Sequence, residues 1–125
     1  MKSRQKVLIV EDEVLIGELF KIFVEQLGYA ACGIVGTADE AVSLARQEEP
    51  AVILMDVRLN GKRDGIDAAV EIHKFLPVPI IYITASREPE TAERIERGHP
   101  AEVLIKPVVS DQLKSALAKH CPMTT

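Results

Sequence analysis

Ala51-Val52-Ile53-Leu54-Met55-Asp56 is an unbroken apolar run closed by a carboxylate. Pro50 stands before it and a polar loop follows. A run of that length, rich in branched side chains, reads as a strand covered on both faces. Three other segments end in chemistry in the same way. Val7-Leu8-Ile9-Val10 runs into Glu11-Asp12-Glu13, Ile80-Ile81-Tyr82-Ile83 into Thr84, and Val103-Leu104-Ile105 into Lys106-Pro107. In an open α/β sheet, ligands bind beyond the carboxyl ends of the strands, where strand order reverses. Strands ending in acid, acid, hydroxyl and amine therefore point to one polar site. Clustered carboxylates attract a divalent cation, and a lysine beside a hydroxyl suits a phosphoryl group.

Short apolar runs alternate with amphipathic stretches along the chain, the pattern of a parallel sheet with helices on both faces. The first helix is expected from Glu13 to Leu27. Ile16, Phe20, Phe23 and Leu27 share one face, and Gly28 stops it. A second strand, weak by propensity, spans Ala30 to Val35. Thr37 with Glu40 has the form of a capping box, and the helix it opens turns Ala41, Leu44 and Ala45 inward. Asn60-Gly61 marks a turn in the loop from Arg58 to Asp64. The third helix is expected over Ile66 to Phe75, the fourth over Pro89 to Arg97, the fifth strand over Glu102 to Ile105. Ser110 is placed to cap the last helix, which presents Leu113 and Leu117 to the core.

The 125 residues match one domain by length, with a core from about residue 6 to 120 and a disordered tail at each end. With 47% hydrophobic and 27% charged residues, the composition is that of an ordinary globular domain. A net charge of −4 and the absence of Trp argue against a nucleic-acid surface. Cys32 and Cys121 match no metal spacing and read as free thiols. No leader is evident before the first strand, and no apolar run approaches the roughly 20 residues that span a bilayer. The expected place is the cytoplasm, away from membranes.

Glu11-Asp12, Asp56, Asp64-Gly65, Thr84-Ala85 and Lys106-Pro107, in that order and each at a strand end or loop, resemble the receiver domain of two-component response regulators. The resemblance covers about Lys6 to His120. It implies a doubly wound, flavodoxin-like α/β fold, with a five-stranded parallel sheet in the order 2-1-3-4-5. It also implies that Asp56 takes a phosphoryl group from a sensor histidine kinase or a histidine phosphotransfer protein. Mg²⁺ would be held by Asp12 and Asp56, by Glu11 directly or through water, and by the backbone carbonyl of Arg58. Lys106, the Thr84 hydroxyl and the Ala85 N–H would meet the phosphoryl oxygens. Output would pass to a protein partner through helix four, strand five and helix five, with room left for a homodimer. The chain would be a self-phosphorylating switch rather than an enzyme.

The chain departs from the family pattern in places. The loop after Asp56 is one residue longer than the commonest form. Position 103, usually the aromatic ring that turns inward on activation, is Val103, and Val108 and His99-Pro100 replace other common residues. Tyr82 lies on the Thr84 side of its strand by alternation, which leaves a substitute aromatic role open. His73, His99 and His120 read as solvent-facing, as do Glu93, Arg94, Glu96 and Arg97 of the fourth helix.

Other classes fit less well. An aspartyl-nucleophile phosphatase would want a second acid two residues after Asp56, where Arg58 stands. A nucleotide-binding domain would want a glycine-rich turn where Glu11-Asp12-Glu13-Val14 stands. A receiver-like scaffold that takes no phosphate would not need the complete set of Glu11, Asp12, Asp56, Thr84 and Lys106. A stand-alone regulator and a segment of a larger regulator or hybrid kinase both remain open.

Overall fold

A computed structural model describes residues 4–123; the outermost residues of both expected tails lie outside that span. Five strands and five helices alternate: β1 Lys6–Val10, α1 Val14–Gln26, β2 Ala30–Val35, α2 Ala38–Glu48, β3 Val52–Asp56, α3 Gly65–Ile72, β4 Ile80–Thr84, α4 Pro89–Arg97, β5 Glu102–Ile105 and α5 Ser110–His120. All strand pairs are parallel, and the order is β2-β1-β3-β4-β5, the doubly wound α/β arrangement. β3 is the middle strand, and every one of its residues is buried.

The two sheet faces carry separate apolar layers, as strand alternation requires. Leu8, Val10, Ile53, Met55, Ile80 and Tyr82 pack under α2 and α3. Val7, Ile9, Val52, Leu54, Ile81 and Ile83 pack under α1 and α5, against Phe20, Val24, Leu113 and Leu117. Burying each branched side chain stabilises the fold by about 1.5–3 kcal/mol before conformational entropy is counted. That packing fixes the strand ends against one another. α4 contributes only Ile95 to the buried set.

The helix ends follow local rules. Gly28, at φ 98°, ends α1, where its N–H meets the Glu25 carbonyl (3.1 Å) and the Tyr29 N–H meets that of Val24 (2.9 Å). α1 begins at Val14, with Glu13 at the cap position, and its inward face is centred on Phe20 and Val24, while Ile16, Phe23 and Leu27 are half-buried. Only half of the expected capping box forms on α2. The Thr37 hydroxyl accepts the Glu40 N–H, but the Glu40 carboxylate accepts a hydrogen bond from the Thr37 hydroxyl instead of from the Thr37 N–H.

Two expectations are corrected. The third helix does not run to Phe75: α3 ends at Ile72, and Phe75 and Leu76 close turns back onto the Ile72 carbonyl. Ser110 is not the cap of α5. It is the first helical residue, Val109 is in the cap position, and the Gln112 side chain accepts the Val109 N–H at 2.9 Å. Cys32 and Cys121 are free thiols, as expected.

Gly65 joins fold to site. A Cβ there would lie 2.0 Å from the Asp56 carbonyl oxygen, and its N–H donates to the Val57 carbonyl at 2.8 Å. Backbone cannot yield as a flexible side chain can. Gly65→Ala should therefore lower the unfolding free energy by about 1–3 kcal/mol. Urea denaturation reads this as a lower midpoint at constant slope, and an unchanged midpoint would contradict the contact.

Candidate functional site

Register sets the site. Val10 is level with Met55, Asp56 with Ile83, and Thr84 with Ile105, so β1, β3, β4 and β5 all stop at one edge. Glu11 and Asp12 follow β1, Asp56 and Thr84 close β3 and β4, and Lys106 follows β5. The edge opens into a cleft of about 780 Å³ whose lining includes Asp12, Asp56, Arg58, Thr84, Ser86 and Lys106.

Lys106 holds the centre. Its Nζ lies 3.1 Å from Glu11 Oε1 and 3.2 Å from Asp56 Oδ2. The side chains of Glu11, Asp56 and Lys106 are only 1%, 7% and 20% exposed, so these charges are screened little by water. The other Glu11 oxygen accepts the Glu13 N–H (3.0 Å), and Asp56 Oδ1 accepts the Arg58 N–H (3.3 Å). The Lys106 N–H donates to the Thr84 carbonyl at 2.9 Å, and the Lys106-Pro107 bond is cis. Thr84 is buried, and its hydroxyl accepts the Ser86 N–H at 3.0 Å.

Burial, and then the charge of Glu11, push the Asp56 carboxyl up to about 7, with Lys106 pulling the other way. Burial and the adjoining Glu11 carboxylate push Asp12 upward as well. Burial opposes the charge on Lys106, but Glu11 and Asp56 outweigh it and raise the ammonium. Oxygen atoms of Glu11, Asp12 and Asp56 lie within 4.8 Å of one another. Three acids crowded around one ammonium leave unbalanced negative charge. Hard carboxylate donors of this kind fit a divalent cation such as Mg²⁺, which prefers oxygen ligands and keeps several waters.

The edge brings together Glu11, Asp12, Asp56, Thr84 and Lys106, with Ala85 exposed in the following loop. Arg58 is exposed on the cleft wall, with its amide turned to Asp56. Tyr82 is wholly buried and donates to the Gly98 carbonyl at 2.9 Å, so its ring is fixed in the core and is not a free lever. Val103 is 38% exposed.

Some side chains expected to be idle are engaged. Arg94 donates to Asp64 at 2.6 Å instead of facing solvent. His73 bonds the Val78 carbonyl at 2.9 Å and His120 the Glu102 carboxylate at 2.8 Å, both half-buried, whereas His99 is exposed as expected. Arg63 bridges Asp39 of α2 and Glu71 of α3. Apart from His73, whose acceptor lies five residues on in the same connection, these contacts have no local signature, because the partners lie on different elements. The one legible cue was the Tyr82 hydroxyl, which, buried in an apolar strand, requires an acceptor.

The family model for the response regulator receiver domain matches residues 7–118. The chain belongs to the response regulator receiver family. This receiver is 36% identical over 113 residues to the transcriptional regulatory protein PdtaR of Mycobacterium tuberculosis, covering 90% of this chain and 55% of that protein. It is 39% identical over 103 residues to the phyllosphere-induced regulator PhyR of Methylorubrum extorquens, covering 82% of this chain and 38% of the other. Among solved structures, the signal receiver domain of a modulated diguanylate cyclase from Desulfovibrio desulfuricans superposes with a TM-score of 0.87 at 35% identity, covering 95% and 94% of the two chains. The chain spans about half the length of curated relatives such as PdtaR. It is a receiver of the two-component type, a signalling switch, and none of its described helices is long and apolar enough to cross a membrane.

The raised Asp56 carboxyl fixes a pH dependence. A carboxyl at about 7 in the fold against an ordinary 3.8 contributes full stability below about pH 4, and that contribution is lost as pH rises through about 7. The metal-free receiver should lose thermal stability across that window. Asp56→Asn should flatten the loss, and an equal slope in the variant would show that the dependence arises elsewhere.

Proposed function

We propose that this receiver takes a phosphoryl group from the phosphohistidine of a sensor histidine kinase or histidine phosphotransfer protein onto Asp56. The observation that carries the reading is the Lys106 ammonium between the buried Asp56 and Glu11 carboxylates at 3.2 and 3.1 Å. An Asp56 oxygen attacks phosphorus, the phosphorus–nitrogen bond breaks, and the imidazole nitrogen keeps the electron pair. Glu11, Asp12, Asp56 and the Arg58 carbonyl would hold Mg²⁺. When bound, the cation offsets the charge of the carboxylates and of the transferring group.

The chain's own groups do the positioning. Asp56 is fixed at the end of a fully buried strand, which limits its motion. Lys106 supplies a positive charge to the phosphoryl oxygens and, on binding them, eases its hold on Asp56. The Thr84 hydroxyl and Ala85 N–H supply further donors. Output passes to a protein partner over α4, β5 and α5, a face that also leaves room for a second copy. The whole of residues 1–125 acts as one receiver unit, and its place is the cytoplasm.

Arg58 and Ser86 lie two residues beyond Asp56 and Thr84 and govern the lifetime of the phosphoryl group. Arg58 stands on the cleft wall as a long cation able to cover it. The Ser86 hydroxyl is already engaged with Thr91 and the Glu88 N–H, and it offers no acid or carboxamide to orient water. Self-dephosphorylation is therefore slow.

Two measurements follow. Acetyl phosphate with Mg²⁺ should add one phosphoryl group to the intact mass and none to Asp56→Ala; equal labelling would remove Asp56 as the acceptor. Arg58→Asn should shorten the phosphoryl lifetime several-fold, as followed by the decay of that mass. Decay unchanged or slower would mean that Arg58 does not shield it.

A further inference from the structure

α4 is held to the fold by polar links more than by apolar packing. Of its nine residues only Ile95 is buried. At its first turn, Ser86 Oγ lies 3.1 Å from Thr91 Oγ1, while the Ser86 N–H donates to the Thr84 hydroxyl at 3.0 Å. At its C-terminal end, the Gly98 carbonyl accepts from Tyr82 at 2.9 Å. Between them, Arg94 Nη1 donates to Asp64 Oδ2 at 2.6 Å, and Nη2 lies 3.9 Å from Asp67 Oδ1.

Asp64 is tied to the phosphoacceptor strand. Its Oδ1 accepts the N–H groups of Ile66 and Asp67, both at 3.0 Å, and Asp67 Oδ2 accepts the Asp64 N–H at 2.9 Å. The next residue, Gly65, abuts the Asp56 carbonyl and bonds that of Val57. The link from Asp56 to α4 is thus backbone contact, cap and charge-assisted hydrogen bond, with no freely rotating side chain before Arg94 itself. A shift of the strand end that moves Gly65 moves Asp64, and Arg94 follows. Val103 has no ring to carry the movement on the β5 side, because a β-branched side chain has one stiff torsion and no lever.

We propose that Arg94 is a positioning residue that couples occupancy of Asp56 to the placement of α4, acting through Asp64. The inference rests on Asp56 being the phosphoacceptor. When Thr84 turns toward the phosphoryl group, its hydroxyl releases the Ser86 N–H and frees the first turn of α4. Arg94 holds the middle of the helix against Asp64, so α4 pivots there instead of translating. A ligand shifts such an equilibrium only through its differential hold on the two placements, and the ion pair supplies that difference. The pair is partly exposed, so its loss should leave the fold intact.

Two experiments on the full chain test this. In hydrogen exchange without ligand, Arg94→Gln should raise exchange at least threefold in the Gly65 to Ala68 amides and leave α5 unchanged. No change there would overturn the proposal whatever happens at Asp56. In amide chemical shifts with Mg²⁺ and beryllofluoride, the wild type should move at residues 56–58, 84–86 and 106 and also at 89–97. Arg94→Gln should keep the first set and reduce the second at least threefold, and Arg94→Lys should recover at least half of it. Full α4 shifts in Arg94→Gln, or a lysine variant no better than glutamine, would overturn the coupling. A wild type with no shifts at residues 56, 84 and 106 would instead sink the phosphoacceptor reading, leaving the exchange result to judge Arg94.

Discussion

The Lys106 ammonium between Glu11 and Asp56 is the interaction on which the rest of the molecule depends. A parallel sheet whose strands all stop at one edge places the side chains that follow them in close company. Here that company is three carboxylates, two of them nearly without access to water. Isolated buried carboxylates would be protonated or expelled, since burying an unpaired charge costs several kcal/mol. One cation from β5 makes the cluster tolerable while leaving it short of neutral. The fold thus holds a site that is incomplete by charge. A second cation there would offset the remaining negative charge.

The apolar layers on either face of the sheet exist, in this sense, to hold four strand ends in register against that repulsion. β3 is central and wholly buried, so Asp56 cannot retreat. α4 is the opposite case. With Ile95 as its one buried residue, it is the element whose position is decided by polar contacts with the loops around the site. A fully buried strand end at Asp56 and a helix beside it with little apolar burial are complementary features of a switch, because local stability is lowest where movement is needed.

Much of this was legible in the residues. Strands buried on both faces announce themselves as apolar runs, and the chemistry stands immediately after each run, so a parallel α/β sheet with one polar site at its edge follows from order alone, while the strand order and the choice of Glu11, Asp12, Asp56, Thr84 and Lys106 rest on the family resemblance. Local signals served less well where two rules competed. Ser110 is a good cap residue, but the Gln112 side chain satisfies the Val109 N–H one position earlier. Phe75 continues a helical pattern, yet the turn toward Pro77 tightens the chain after Ile72. Contacts between distant elements were invisible. Arg94 sits in a helix of alternating acids and arginines, and nothing in that pattern separates the one arginine that reaches Asp64 from its solvated neighbours. His120 is the same case, since its acceptor Glu102 comes from β5, whereas His73 reaches the Val78 carbonyl only five residues on, where the chain turns back after α3.

The loop after Asp56 is anchored at two points. Asn60 pairs with Thr37 on one side, and Arg63 is clamped by Asp39 and Glu71 on the other. Between these anchors Gly61, at φ 95°, has open space where a side chain would stand. The apex from Gly61 to Lys62 stands on the cleft wall, held at both feet. It is a natural graft point, where a reporter peptide or a dye-bearing residue could be inserted close to the cleft mouth without altering the distances that define the site.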